Sequence, residues 1–202
     1  MSAPELTQRI LSAEALVDSD RMRTGNLADA DWTKITNAIN RLEIPLYIDD
    51  TSQITVTQIR QKLRRVAVSD AAPALVIIDY LQLMGGGNNE NRQLEVSEIS
   101  RGLKMLARDF GIPVVALSQL SRTIETRADR RPVLADLRES GALEQDADVV
   151  MFLYREEAAN AEARNNDKGY ADVIVQKHRS GPIGDVRLLF NKAYTQFVDE
   201  PE

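Results

Sequence analysis

The sequence has no cysteine and a single histidine, His178, among its 202 residues. Disulfide bonds and thiolate metal sites are therefore excluded, and one histidine argues against a histidine-based metal site. No apolar run approaches the roughly 18 residues that a membrane helix needs, and the chain does not open with a secretory signal. We therefore expect a cytoplasmic protein with no membrane contact.

A phosphate-binding loop is also missing. No G-x-x-x-x-G-K-[S/T] pattern occurs, and neither does a Gly-Lys dipeptide. The glycines at 85–87 open a predicted flexible loop (85–89), but no Gly-Lys-Ser/Thr helix start follows them. Acidic residues outnumber basic ones, 31 to 25, for a formal net charge of −6. This balance argues against bulk electrostatic binding of nucleic acid, although local basic loops remain compatible with it.

What is present is ordinary for one globular domain with a sizeable core: 43% of the residues are hydrophobic and 28% are charged. Strands and helices alternate along the chain, and residues 156–168 are predicted to form a polar surface excursion. The alternation predicts an α/β fold with a mostly parallel sheet flanked by helices and a C-terminal β-hairpin. Helical spacing or capping signals occur at residues 4–17, after Asp31 as a predicted N-cap, after Thr55 in a capping box with Gln58, at 94–110, and after Pro132. Strand signals occur at residues 46–48, 75–78, 114–117, 149–153, 173–175, 186–190 and 197–198.

Polar residues follow two of these strands. Asp79 follows the apolar run 75–78, which is typical of a strand buried on both faces, and Gln119 follows 114–117. In open α/β sheets, ligands bind beyond the carboxyl ends of the strands. A carboxylate there can hold Mg²⁺, usually through water, and a glutamine can sense a terminal phosphate. The alternative for Asp79 is that it caps the next helix.

Four segments resemble, in order and spacing, motifs of the DnaB-type replicative helicases. Residues 131–148 contain Asp-Leu-Arg-Glu-Ser-Gly, and residues 175–184 read Val-Gln-Lys-His-Arg-Ser-Gly-Pro-Ile-Gly. These two segments carry the specific part of the resemblance. Residues 74–84 (Ala-Leu-Val-Ile-Ile-Asp-Tyr-Leu-Gln-Leu-Met) resemble the Walker B segment, and residues 116–122 (Ala-Leu-Ser-Gln-Leu-Ser-Arg) resemble the motif after it. The resemblance runs from about residue 4 to 197.

The resemblance implies a RecA-like motor domain that couples ATP hydrolysis to 5′→3′ translocation on single-stranded DNA, in a homo-hexameric ring. It implies that Asp79 is the Walker B carboxylate near Mg²⁺ and that Gln119 is the phosphate-sensing glutamine. It also implies that Lys177 and Arg179 reach the neighbouring subunit's ATP, with Arg179 as arginine finger. The alternative for Arg179 is a plain hairpin turn.

The resemblance further implies that Arg138, Glu139 and Gly141 lie in the loop that lines the channel of the ring and grips single-stranded DNA. The alternative is a solvated helix face. Arginines around this segment are offset by acidic residues, so the DNA prediction rests on the motif and not on charge.

In the family, the P-loop precedes the segment that matches residue 4, and the catalytic glutamate lies in a Glu-Met-Ser-like stretch just ahead of the residues that match Met1 and Ser2. We therefore expect residues 1–202 to form the C-terminal part of the motor domain, incomplete at its N-terminus and inactive alone. Primase and helicase loader would then bind through regions partly absent here. A fragment, a split gene product and a natural P-loop-less paralogue that binds DNA or helicase rings remain open, as does another RecA-like ATPase.

Overall fold

The computed structural model describes residues 1–42, 44–69, 72–85, 92–156 and 169–200. The predicted loop beyond Gly85 and the predicted excursion beyond Glu156 lie outside these ranges. The α-helices within them are α1 (Ala3–Ala15), α2 (Ser19–Thr24), α3 (Asp29–Arg41), α4 (Val56–Ala67), α5 (Arg92–Phe110) and α6 (Gly141–Asp146). Short 3-10 helices span Leu81–Leu83, Arg122–Thr126 and Leu134–Ser140. None of the described helices combines the length and the apolar character that crossing a bilayer requires.

Two sheets are present in the described part of the chain. Strands β1 (Val76–Ile78) and β2 (Val114–Ala116) pair in parallel, with Ile78 opposite Ala116. The second sheet has the order β3-β4-β5-β6. Its strands are β3 (Val149–Tyr154), β4 (Tyr170–His178), β5 (Gly184–Asn191) and β6 (Gln196–Asp199). The predicted C-terminal hairpin is confirmed, because β5 and β6 pair antiparallel through Asn191 and Gln196 at the turn.

The chain divides into two compact units. The first contains Met1–Asp50, Leu153–Val173 and Asp185–Glu202. Its helix α1 begins at a capping box, in which Ser2 Oγ accepts from the Glu5 N–H and Glu5 Oε2 accepts from the Ser2 N–H. The apolar faces of α1 and α3 meet in a small core of Ala15, Val17, Ile35 and Ala38.

Two predictions in this unit are wrong. Helix α3 begins at Asp29 with Ala28 as its N-cap, so Asp31 does not cap from outside. Asp31 instead lies in the first turn, where its carboxylate accepts from the Ala28 N–H at 2.9 Å and binds Arg21. Residues 46–48 form no strand, since no described strand pairs with them, and Leu46 and Tyr47 are exposed.

The second unit contains Thr51–Phe152 and Ile174–Gly184. The predicted capping box is confirmed, because the Thr55 N–H donates to Gln58 Oε1 at 2.9 Å and the Gln58 N–H donates to Thr55 Oγ1 at 3.3 Å. One side of β1–β2 is covered by α4 and α5. This core consists of Ile59, Ile78, Leu81, Met84, Ile99, Leu103 and Leu106.

The other face of β1–β2 is open. Ile77 is 63% exposed and its cross-strand partner Val115 is 40% exposed, so the run 75–78 is not buried on both faces as the sequence predicts. In β3 the alternate side chains Val149, Met151 and Leu153 are likewise exposed, whereas Val150 and Phe152 are buried. Exposed apolar side chains on a strand face favour association.

We expect this chain alone to self-associate as its concentration rises and to bind an apolar-surface dye. The reason is that contact with another molecule removes the apolar strand faces from water. Ile77→Thr should weaken both effects. Ile44→Thr is the matched control, because Ile44 is equally exposed, at 62%, but lies outside any strand. Sedimentation velocity makes the measurement, and a concentration-independent monomer without dye binding contradicts the expectation.

Candidate ATP and DNA sites

Asp79 and Gln119 lie at the same edge of the parallel sheet. Asp79 directly follows β1, and Gln119 lies three residues beyond β2. The two strands stay joined at their carboxyl ends, because the Leu117 N–H donates to the Ile78 carbonyl and the Leu81 N–H donates to the Leu117 carbonyl, both at 2.9 Å. Neighbouring strands lie about 4.8 Å apart, so both chain segments leave the sheet side by side. This is the edge at which open α/β sheets bind ligands.

The Asp79 carboxylate is exposed and, within the described part of the chain, makes no hydrogen bond or ion pair. It does not cap the following 3-10 helix, whose N-cap is Tyr80 with no side-chain cap bond. The described residues hold no cluster of three or more acidic or histidine side chains that could hold a metal ion. Asp79 therefore offers one hard oxygen donor group, which suits a cation that keeps most of its water.

Gln82 is a residue that the sequence did not bring to attention. Its Nε2 donates to Ser118 Oγ at 3.0 Å and to the Gln119 carbonyl at 3.2 Å, and its Oε1 accepts from the Gln119 N–H at 3.2 Å. These bonds tie the backbone at Gln119 to the 3-10 helix that follows Asp79. The Gln119 side-chain amide has no partner among the described residues. The available signal was a lone polar residue within the apolar stretch 81–84.

Lys177 and Arg179 gather at the carboxyl end of α6. Lys177 Nζ donates to the carbonyls of Glu144 and, at 3.3 Å, Gln145. Arg179 Nη2 donates to the Gln145 carbonyl at 2.7 Å, and Nη1 donates to Asp148 Oδ1 at 3.2 Å. The last carbonyls of a helix lack intrahelical partners and carry partial negative charge, so they attract cations.

Arg179 follows β4 directly and opens the turn to β5. The His178 ring lies against Gly181 in this turn, where an added Cβ would clash with the ring. His178 Nδ1 lies 3.2 Å from the Pro182 carbonyl oxygen, which closes the turn from the other side. The backbone at Arg179 is that of a hairpin turn, as the alternative predicts. The guanidinium, however, binds Gln145 and Asp148.

The segment predicted to face DNA joins a 3-10 helix to α6. Arg138 and Glu139 lie in the 3-10 helix Leu134–Ser140, and their side chains lie outside what the structure describes. Gly141 is the first residue of α6, with an ordinary helical φ of −52°. An added Cβ there would meet nothing within 4 Å, so the fold does not need a glycine at this position.

An ion pair between Arg127 and Asp136 holds the chain just ahead of Arg138. The Asp136 carboxylate, whose side chain is 5% exposed, accepts from both Nη atoms of Arg127 at 3.1 and 3.0 Å and from the Val133 N–H at 2.8 Å. Arg127 Nη2 also donates to the Arg131 carbonyl at 2.8 Å. A bidentate pair with further backbone bonds holds a loop in one geometry. From the sequence alone, these residues are only part of the balance of charges around the segment.

Comparison with known proteins gives one consistent family. Residues 1–199 match the family model described as the DnaB-like helicase C-terminal domain. The chain is 48% identical over 202 residues to replicative DNA helicase DnaB of Geobacillus stearothermophilus, covering 98% of this chain and 44% of that protein. It is also 48% identical over 202 residues to replicative DNA helicase DnaC of Bacillus subtilis (strain 168), with the same coverage. The chain thus spans less than half the length of these relatives.

Solved structures agree on the fold. One of them, described as an ATPase domain, matches with a TM-score of 0.91 at 38% identity, over 100% of this chain and 72% of that chain. A DnaB-like replicative helicase, described together with its interactions with primase, matches with the same TM-score and identity over 100% of this chain and 49% of that one. The fold is the α/β architecture of these RecA-like ATPase domains. Because the family model covers nearly every residue, the chain belongs to the family of DnaB-like helicase C-terminal domains.

Proposed function

We propose that these residues form the C-terminal part of the ATP-driven motor of a replicative DNA helicase, which moves along single-stranded DNA and unwinds duplex. One observation carries the proposal. Asp79 and Gln119 follow neighbouring strands at one sheet edge, Gln82 holds the Gln119 backbone to the 3-10 helix after Asp79, and neither the Asp79 nor the Gln119 side chain has a partner in the described structure. Polar groups aligned at a strand edge without a structural role are expected where a ligand binds.

The proposed ligand of this edge is ATP with Mg²⁺. Mg²⁺ keeps much of its water when protein-bound and neutralises charge on the phosphates. Asp79 fits such an ion, because its exposed carboxylate can accept hydrogen bonds from metal-bound water without losing a protein partner. Gln119 offers a neutral side-chain amide, which would orient the terminal phosphate or the attacking water. The backbone of Gln119 is held at two atoms, because its N–H and its carbonyl oxygen both bond to Gln82.

We propose that Lys177 and Arg179 act on the ATP of the neighbouring subunit in a homo-hexamer. Both belong to the end of β4 and the turn after it, and Arg179 is 50% exposed. In a ring built from heterologous contacts, one subunit's surface meets the next subunit's nucleotide. An arginine supplied in this way stabilises the charge that develops on the transferring γ-phosphoryl group.

We propose that single-stranded DNA binds along Arg138, Glu139 and Gly141. The supporting observation is Gly141, a glycine that neither its φ angle nor its surroundings require. Glycine at such a position lets another backbone approach closely. Action on DNA would place the protein in the cytoplasm. A primase is named for one structural relative, and we propose that primase and loader bind through segments outside these residues.

Gly141→Ala tests the DNA contact. The φ angle suits alanine and the Cβ meets open space, so the free energy of unfolding should stay equal or rise by about 0.4–1 kcal/mol. The affinity for single-stranded DNA should fall, because the methyl group occupies the place of the phosphate backbone. Fluorescence anisotropy in an assembled ring makes the measurement. Gly184→Ala, which also meets nothing within 4 Å, is the control. Equal DNA affinities for both variants would contradict the assignment.

ATP turnover tests the function itself. We expect no hydrolysis by these 202 residues alone, because they contain no P-loop whose lysine and backbone N–H groups cradle the phosphates. A chain that carries a P-loop segment ahead of them should hydrolyse ATP, be stimulated by single-stranded DNA, and unwind duplex.

One outcome overturns the expectation that the 202 residues are inactive alone, and another overturns the motor function. Turnover by the 202 residues alone that vanishes in Asp79→Ala would show that the phosphates are held elsewhere. A P-loop-bearing ring that binds DNA without hydrolysing ATP would favour the alternative, a P-loop-less paralogue that acts as a non-catalytic DNA-binding or ring-interacting protein. The absence of a P-loop motif from the sequence is the observation that keeps this alternative open.

A further inference from the structure

Arg179 is held in a defined orientation within its own subunit. Its two Nη atoms donate to different acceptors, the Gln145 carbonyl at 2.7 Å and Asp148 Oδ1 at 3.2 Å. The Arg179 N–H also donates to the Asp148 carbonyl at 2.9 Å. Since the guanidinium is a rigid planar fork, two acceptors on different groups fix both its place and its tilt. The side chain is still 50% exposed, so part of it remains available to a neighbour.

Asp148 is shared between two cations. Its Oδ2 accepts from Lys104 of α5, while its Oδ1 accepts from Arg179. The hydrogen bond from Lys104 is the main cause that lowers the pKa of Asp148 below its usual value, and the charges of Lys104, Arg179 and Lys177 add to it. The carboxylate therefore stays ionised at neutral pH and anchors Arg179 to the long helix α5.

Helix α6 connects this anchor to the segment that we assign to DNA. It begins at Gly141 and ends at Asp146, so it is about 9 Å long at the usual rise per residue. The carbonyls near its carboxyl end hold both Lys177 and Arg179. One short helix thus has the proposed DNA contact at its start and the two proposed trans-acting cations at its end.

We propose that Asp148 is a positioning residue, which holds Arg179 against the end of α6. The proposed DNA contact at Gly141 and the proposed contact with the neighbour's ATP are then connected through the same helix. The inference rests on the proposed function. Ion pairs as exposed as this one contribute little to stability, so an Asp148 variant should fold. What the variant loses is the orientation of the guanidinium, and small misplacement of a reacting group lowers rate strongly.

The first test uses this chain as it exists. In Asp148→Ala, the separate ¹⁵N signals of the two Arg179 Nη groups should move towards averaging, because the guanidinium keeps only its bond to the Gln145 carbonyl and rotates more easily. The melting temperature should stay within about 4 °C of the wild type, as for loss of an exposed ion pair. Asp109→Ala is the matched control, because Asp109 is an exposed aspartate that binds Arg60 in the same unit. Arg179 signals unchanged from the wild type would overturn the inference.

The second test uses the ring that carries a P-loop. Asp148→Ala should lower kcat about ten- to a hundredfold, with KM for ATP within about threefold, because binding persists while the Arg179 cation is misplaced for the transition state. Stimulation of turnover by single-stranded DNA should largely disappear, and Asp148→Glu should restore part of it. A merely structural role would lower the melting temperature and leave the DNA stimulation of the folded rings intact.

The outcomes separate the inference from the function it rests on. An unchanged or higher kcat in Asp148→Ala, with full DNA stimulation, overturns the positioning role even where Arg179→Ala abolishes turnover. Normal turnover in Arg179→Ala itself overturns the trans-acting assignment, and the positioning role falls with it.

Discussion

Arg179→Ala, in a ring whose chains carry a P-loop, should reduce ATP turnover by about 10³- to 10⁵-fold, the contribution of an arginine supplied to the γ-phosphoryl group in the transition state. Nucleotide binding and ring assembly should persist. The substitution removes bonds to Gln145 and Asp148 only from a side chain that is already half exposed, so the local fold should survive. Single-turnover hydrolysis together with nucleotide binding separates the two effects.

Arg187→Ala is the control for this substitution. Arg187 is similarly exposed, at 56%, and its Nε donates to Asp172 Oδ1 at 2.9 Å. It lies on β5 and has no role in the proposed site, so its removal should leave turnover close to that of the wild type. Turnover in Arg179→Ala equal to that of Arg187→Ala would return Arg179 to the role of a hairpin residue.

Asp79→Ala should fail for a different reason, in its own subunit's site. We expect turnover to fall by about 10² to 10³, the usual cost of losing one preorganised group that meets developing charge. Stability should hardly change, because the carboxylate has no partner among the described residues. The Mg²⁺ dependence should shift to higher concentration, which a titration of turnover against Mg²⁺ measures.

Asp199→Ala serves as the control for Asp79→Ala. Asp199 ends β6 and is exposed, and its carboxylate likewise has no partner among the described residues. Its removal should alter neither turnover nor the Mg²⁺ dependence. An Asp79→Ala ring with the Mg²⁺ dependence of the wild type would remove Asp79 from the proposed site.

Local sequence patterns predicted the local parts of the fold well. The capping box of Thr55 and Gln58 and the β5–β6 hairpin depend on residues close in the chain, and both are confirmed. The start of α3 was missed because Asp31 can serve as an N-cap or reach back from the first turn, and both choices give the same residue pattern. The strand predicted at residues 46–48 failed because a strand needs a partner, which local sequence does not specify.

The residues of the candidate site also differ in whether local sequence predicts them. Asp79 and Gln119 were found because each follows an apolar run, and a parallel sheet brings such positions to one edge. Gln82 and Asp148 were not found, because their roles depend on bonds to residues 37 and 31 positions away. Side chains that position other side chains carry no spacing signal of their own, so only the folded chain reveals them.

The claim that one ATP site is completed by two subunits is tested most directly by mixing the two inactive variants. Asp79→Ala and Arg179→Ala chains, each carrying a P-loop, are co-expressed with different affinity tags so that rings containing both can be isolated. At equal incorporation, roughly a quarter of the interfaces join an intact Asp79 site to a neighbour's intact Arg179, since the ring repeats one heterologous contact. We expect mixed rings to recover ATP turnover up to about this fraction of the wild-type rate. Mixed rings that are as inactive as either variant alone would contradict a site shared between two subunits.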